Sequence, residues 1–80
     1  MAKVLTNKIK LNVCNGVIIE MTQFSDGSFI LERNKGEKWF VASSLENGCF
    51  HLQENLENGE IDDICDCSNM VETLYKMAWL

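Results

Sequence analysis

The sequence predicts an α+β fold: an antiparallel β-meander of about five strands, a curved sheet or small partly open barrel, with one C-terminal α-helix packed on it. Three observations predict it. All five glycines sit at turn signals, as Asn15-Gly16, Asp26-Gly27, Asn34-Lys35-Gly36, Asn47-Gly48 and Asn58-Gly59, spaced nine to twelve residues apart. The runs between them are short and rich in β-branched and aromatic residues. From Asn69 onward the apolar residues change from alternating to helical spacing.

The first hairpin can be read to its register. Ile9, Leu11 and Val13 alternate with Lys8, Lys10 and Asn12, and Val17, Ile19 and Met21 alternate with Glu20 and Thr22. A two-residue Asn15-Gly16 loop sets Leu11 against Glu20 and puts a carboxylate on the apolar face. A three-residue loop, Cys14-Asn15-Gly16, pairs Val13 with Val17, Leu11 with Ile19 and Ile9 with Met21. A one-residue slip turns every side chain over, so the second register is expected, with Gly16 left-handed in a bulge.

Strand three is expected over 28–33. A two-residue turn opposes Phe24 with Phe29 and Glu20 with Arg33, a three-residue turn opposes Met21 with Leu31, and the sequence leaves both open. Strand four covers 38–42, where Trp39-Phe40-Val41 is apolar on both faces and so predicts a central or covered strand. Residues 43–46 read as a capped turn or a plain connection. Strand five is 49–53, with Phe50 and Leu52 inward and His51 and Gln53 outward. Residues 54–67 read as an acidic connection with a weak edge strand around 60–64. Asn69, with Glu72 three residues on, opens the final helix, 68–80. Met70, Val71, Leu74, Met77 and Ala78 form its inward stripe, flanked by Tyr75 and Trp79, with Glu72, Thr73 and Lys76 opposite.

Eighty residues make one domain, 1–80, with the meander over about 1–53. No stretch has the roughly 18 apolar residues of a membrane span, and the first residues hold no apolar run of signal-peptide length. The cytoplasm is therefore the expected compartment, with Cys14, Cys49, Cys65 and Cys67 reduced. The net charge of −5 is unevenly placed. Residues 1–45 carry six bases against four acids, whereas residues 46–80 carry eight acids against Lys76 alone.

The motifs exclude more than they assign. No glycine-rich phosphate loop exists, because each glycine is isolated at a turn. His51 is the only histidine, no nucleophile turn is marked, and Asp62-Asp63 reads as a solvated charged face, so no enzymatic activity and no cofactor are expected. Cys49, His51, Cys65 and Cys67 supply enough soft ligands for a zinc site, although their spacing is unlike the usual knuckle, and a small metal-stabilised structural module is the alternative reading. Direct binding of single-stranded nucleic acid is a further alternative, using Trp39, Phe29 and Phe40 beside Lys8, Lys10, Arg33, Lys35 and Lys38. The acidic balance opposes it, because phosphate contact dominates such affinity.

The acidic stretch remains. Glu54, Glu57, Glu60, Asp62, Asp63 and Asp66 lie together with no base among them, and such a patch complements a basic surface. Phe50, Tyr75 and Trp79 are the candidate aromatic anchors beside it. The expected function is a small acidic, non-enzymatic protein-binding module that docks on a basic, nucleic-acid-handling protein and inhibits or modulates it. In size, acidity and lack of catalytic motifs the chain is similar to small phage-encoded inhibitors, including anti-CRISPR proteins; the similarity is one of composition and carries over no residue. No membrane partner is expected, and a homodimer through a strand edge or the last helix is a further route of association. The reading requires the acidic side chains to gather on one accessible flank, away from Lys8, Lys10 and Arg33.

Overall fold

The computed structural model describes residues 5–14, 16–56 and 58–80. Six strands, β1 (Leu5–Asn12), β2 (Ile18–Phe24), β3 (Phe29–Lys35), β4 (Lys38–Ser44), β5 (Phe50–Asn55) and β6 (Ile61–Cys67), precede the helix α1 (Met70–Ala78). The strands form one sheet in sequence order, so β1 and β6 are its two open edges. The meander and single helix match the expected fold class, with one strand more than expected.

The turns set the registers. Ile9 faces Met21 and Leu11 faces Ile19, the pairing expected from a three-residue loop, and Gly16 takes a φ of 75° that side chains with a Cβ avoid. The open choice at the second hairpin resolves the same way: Met21 faces Leu31, and Phe24 exchanges backbone bonds with the Asp26-Gly27 turn. Asp26, Asn47 and Asn58 play one role in three turns. Each side-chain oxygen accepts the backbone N–H two residues on, from Ser28 at 3.0 Å, Cys49 at 3.2 Å and Glu60 at 3.0 Å. Residues 43–46 are not a helical turn; Ser43 and Ser44 end β4, and Leu45 bonds directly to Cys49 across the turn.

The acidic stretch read as a connection is instead largely the β5–β6 hairpin, with β6 a full edge strand. Its apolar residues fail to alternate because a bulge between Leu52 and Gln53 shifts the register: Cys65 faces Leu52, whereas Asp63 faces Gln53, leaving Ile64 as the extra residue.

One face of the sheet carries the core. Ile19, Leu31, Phe40, Ala42, Phe50, Leu52 and Cys67 pack with Met77 of the helix, and α1 rests on β5 and β6. The helix begins as expected: Asn69 caps it by accepting the Glu72 N–H at 2.8 Å, while the Glu72 carboxylate accepts from the Ser68 N–H at 3.1 Å. Its inward stripe differs from the expected one. Thr73 is completely buried and Val71 is 63 % exposed, because Met70, Thr73, Leu74 and Met77 share the face turned to the sheet. The Thr73 hydroxyl tolerates burial by donating to the Asn69 carbonyl at 2.7 Å. Trp39 is likewise uncovered; it stands on the helix-free face of a central strand and donates its indole N–H to Glu32 at 3.2 Å.

Two bases hold the helix from its far end. The Arg33 guanidinium donates to the Met77 carbonyl, and Lys35 Nζ donates to the Leu80 carbonyl at 2.6 Å. Arg33 thereby places positive charge on a carbonyl of the last helical turn, while Lys35 holds the chain just beyond the helix end. Arg33→Gln is therefore expected to lower stability by about 1–2 kcal/mol in urea unfolding, with an unchanged m-value.

Candidate functional site

The antiparallel registers lay the side chains of the helix-free face in rows across all six strands. One row runs Lys8, Thr22, Ile30, Ser43, His51, Asp66, and its neighbour runs Lys10, Glu20, Glu32, Val41, Gln53, Asp63. Both rows start in lysine on the β1 edge and finish in aspartate on the β6 edge. In between, Glu20 and Glu32 stand directly opposite one another. Their repulsion is relieved by Lys8, whose Nζ lies 2.7 Å from Glu20 and whose pKa that hydrogen bond raises, and by the Trp39 indole on Glu32.

Asp63 and Asp66 are three residues apart, a spacing that sends side chains to opposite faces of a regular strand. The Ile64 bulge returns both to the same face. His51 then bridges them, with Nε2 2.8 Å from Asp63 and Nδ1 2.6 Å from Asp66. The two carboxylates hold the imidazole pKa above its ordinary 6.5, Asp66 contributing the larger hydrogen-bond effect. Because the folded value is raised, the bridge contributes fully below the unfolded value near 6.5 and is lost as pH rises through the higher folded one. His51→Ala is expected to lose more stability relative to the parent at about pH 5.5 than at about pH 9, in parallel denaturation curves. An equal loss at both values contradicts the bridge.

The acidic residues named from sequence therefore gather on one edge of the molecule but divide between its faces. Asp63 and Asp66 lie on the helix-free face, Glu54 and Asp62 stand opposite each other on the helix side, and Glu60 is exposed in the turn before β6. Glu57 lies outside the described residues. Among the described residues none of these acids pairs with Lys8, Lys10 or Arg33; the only cation reaching them is His51.

Of the aromatic anchors, Tyr75 and Trp79 are exposed, Trp79 by 72 %. Phe50 is not an anchor: it is 3 % exposed and packs in the core, as the inward alternation of β5 requires. Val71, Tyr75 and Trp79 recur at four-residue spacing and form an outward apolar stripe that the sequence reading missed at Val71. Tyr75 and Trp79 meet Ile64, Cys65 and Lys76 in a shallow groove between helix and edge strand. The site is thus a corner, with an apolar groove on one side of β6 and paired aspartates on the other.

The other ligand sets do not assemble. His51 turns to the helix-free face, Cys65 and Cys67 to the helix side with sulfurs 4.0 Å apart, and Cys49 lies before β5. Among the described residues no group of three or more histidine, cysteine or carboxylate side chains is arranged to hold a metal. The nucleic-acid candidates separate too, since Phe40 is buried, Phe29 packs on the core, and Arg33 and Lys35 serve the helix end. A cleft near Asp26, Ser44, Glu46 and Met70 is lined by no histidine, cysteine, lysine or arginine; its Ser28 hydroxyl donates to Asp26 and its Ser44 hydroxyl accepts the Phe29 N–H. No described helix is long and apolar enough to cross a membrane. Comparison with protein-family models, curated proteins and solved structures gives no significant match.

Proposed function

We propose that this chain is a small non-enzymatic protein-binding module of the cytoplasm. Its β6–α1 corner docks on the basic surface of a nucleic-acid-handling protein and blocks or modulates it. The observation that carries the reading is the juxtaposition of exposed Asp62, Asp63 and Asp66 with the Ile64–Tyr75–Trp79 groove. Charges steer and select a partner, whereas a desolvated aromatic centre supplies most of the affinity. A surface that has evolved to hold a phosphate backbone is a broad basic target of the kind this edge complements.

The experiment uses the protein as immobilised bait against lysate of its host, beside two variants. One carries Asp62→Lys, Asp63→Lys and Asp66→Lys; the other carries Trp79→Ala. The parent is expected to retrieve a basic protein that both variants lose while their far-UV spectra stay folded. Equal retrieval by parent and charge-reversed protein contradicts the proposal.

A further inference from the structure

We propose that the β1 edge of one copy of this protein docks on the β6 edge of another, so that free molecules associate head to tail and cover the acidic corner. The inference rests on the docking role of that corner and names a competitor for it. Three features of the structure converge. The first is parity: the sheet has six strands in sequence order, each antiparallel to the next, so β1 and β6 run in opposite directions. A second copy placed alongside in the same orientation therefore brings β1 to β6 as a further antiparallel pair, with both helices on the same side.

The second is charge. Continuing the two open-face rows across such a junction sets Lys8 of the incoming copy beside Asp66 and Lys10 beside Asp63. Among the described residues Glu20 is both the ion-pair partner of Lys8 and the cross-strand neighbour of Lys10, so on the β1 edge two bases share one adjacent acid. Among the described residues the one cationic partner of Asp63 and Asp66 is His51, which they share, so the β6 edge keeps a surplus of negative charge. Like charges along an edge normally keep strands from pairing. Here the two edges carry opposite signs, so they deter pairing of an edge with its own kind and favour pairing with the other.

The third is apolar surface. On the helix side one row runs Ile9, Met21, Leu31, Ala42, Leu52, Cys65; Leu31, Ala42 and Leu52 are completely buried, and the cover thins toward the β1 edge. Ile9 is left 39 % exposed. The same junction carries Ile9 of the second copy to Cys65, at the mouth of the groove formed with Ile64, Tyr75 and Trp79. Backbone, charge and apolar groups are satisfied in one register. Such a contact is heterologous, so each addition leaves one edge of either kind free.

The test is sedimentation velocity over a range of concentrations, with far-UV circular dichroism as a check of folding. The parent is expected to gain mass with concentration and to lose it as salt is raised. Lys8→Glu with Lys10→Glu, which leaves the acidic corner intact, is expected to weaken association about tenfold or more. Asp63→Lys with Asp66→Lys is expected to do the same. Mixing the two variants is expected to restore association, because their altered edges are again opposite in charge. A parent that remains monomeric, a β1 variant that associates like the parent, or a mixture no better than its components overturns the inference. Capture of the basic partner is read separately: if capture depends on the β6 charges while the parent is monomeric, only the head-to-tail contact is wrong.

Discussion

Met77→Ala is expected to destabilise the protein by about 3 kcal/mol, whereas Val71→Ala is expected to change stability by less than about 0.5 kcal/mol. Both residues belong to the apolar stripe that helical spacing assigns to the inward face. Met77 is completely buried among Leu31, Phe40, Leu52 and their neighbours, and truncating it removes the helix's deepest contact and leaves a cavity between the layers. Val71 projects into solvent and has little burial to lose. A domain of this size has only a few kcal/mol of stability, so the Met77 variant is expected to be largely unfolded at 37 °C. Urea denaturation of the pair measures the difference. Similar losses in the two variants would show that α1 is rotated about its axis from the orientation described.

Reversing Asp62, Asp63 and Asp66 to lysine is expected to weaken partner binding on the order of 100-fold at low salt, mainly through slower association. Three reversals change the local charge by six, and opposed fields that accelerate encounter become repulsive. The deficit is expected to shrink as ionic strength rises from about 50 to 300 mM, since screening over that range shortens the reach of exposed charges. Trp79→Ala should instead speed dissociation and respond little to salt, because it removes apolar contact. Association and dissociation rates measured at several salt concentrations separate the two contributions. A salt-independent loss in the reversed protein argues for damage to the fold, through the His51 bridge, in place of lost steering.

How much of this was legible in the chain varies by element. The first hairpin could be read to its register because its two alternating strands tolerate only one pairing that keeps Glu20 off the apolar face, and the structure has that pairing. The second hairpin was open because Phe24–Phe29 and Met21–Leu31 pairings both join apolar residues; turn geometry decided it. The β6 strand was hidden by its own bulge, since the residue inserted at Ile64 breaks the alternation by which a strand is recognised. That bulge also concealed the aspartate pair, which regular strand geometry would have split between two faces. The polarity of Thr73 points it outward, although its spacing from Met70, Leu74 and Met77 fits the buried stripe, and its hydroxyl has a local acceptor in Asn69. Phe50 cannot serve both the inner face and the docking surface; only the first is compatible with alternation along β5. The acidic edge as a whole was visible because charge segregation is a property of composition, independent of strand boundaries. The division of Glu54 and Asp62 from Asp63 and Asp66 required the register.

The bound protein's backbone amides offer the most direct view of where it docks. Hydrogen–deuterium exchange of the free chain and of its complex with the captured partner is expected to show protection concentrated in residues 60–67 and in the last turn of α1, around Tyr75 and Trp79. Protection confined to β1–β4, with the β6–α1 corner exchanging as in the free protein, would contradict the account.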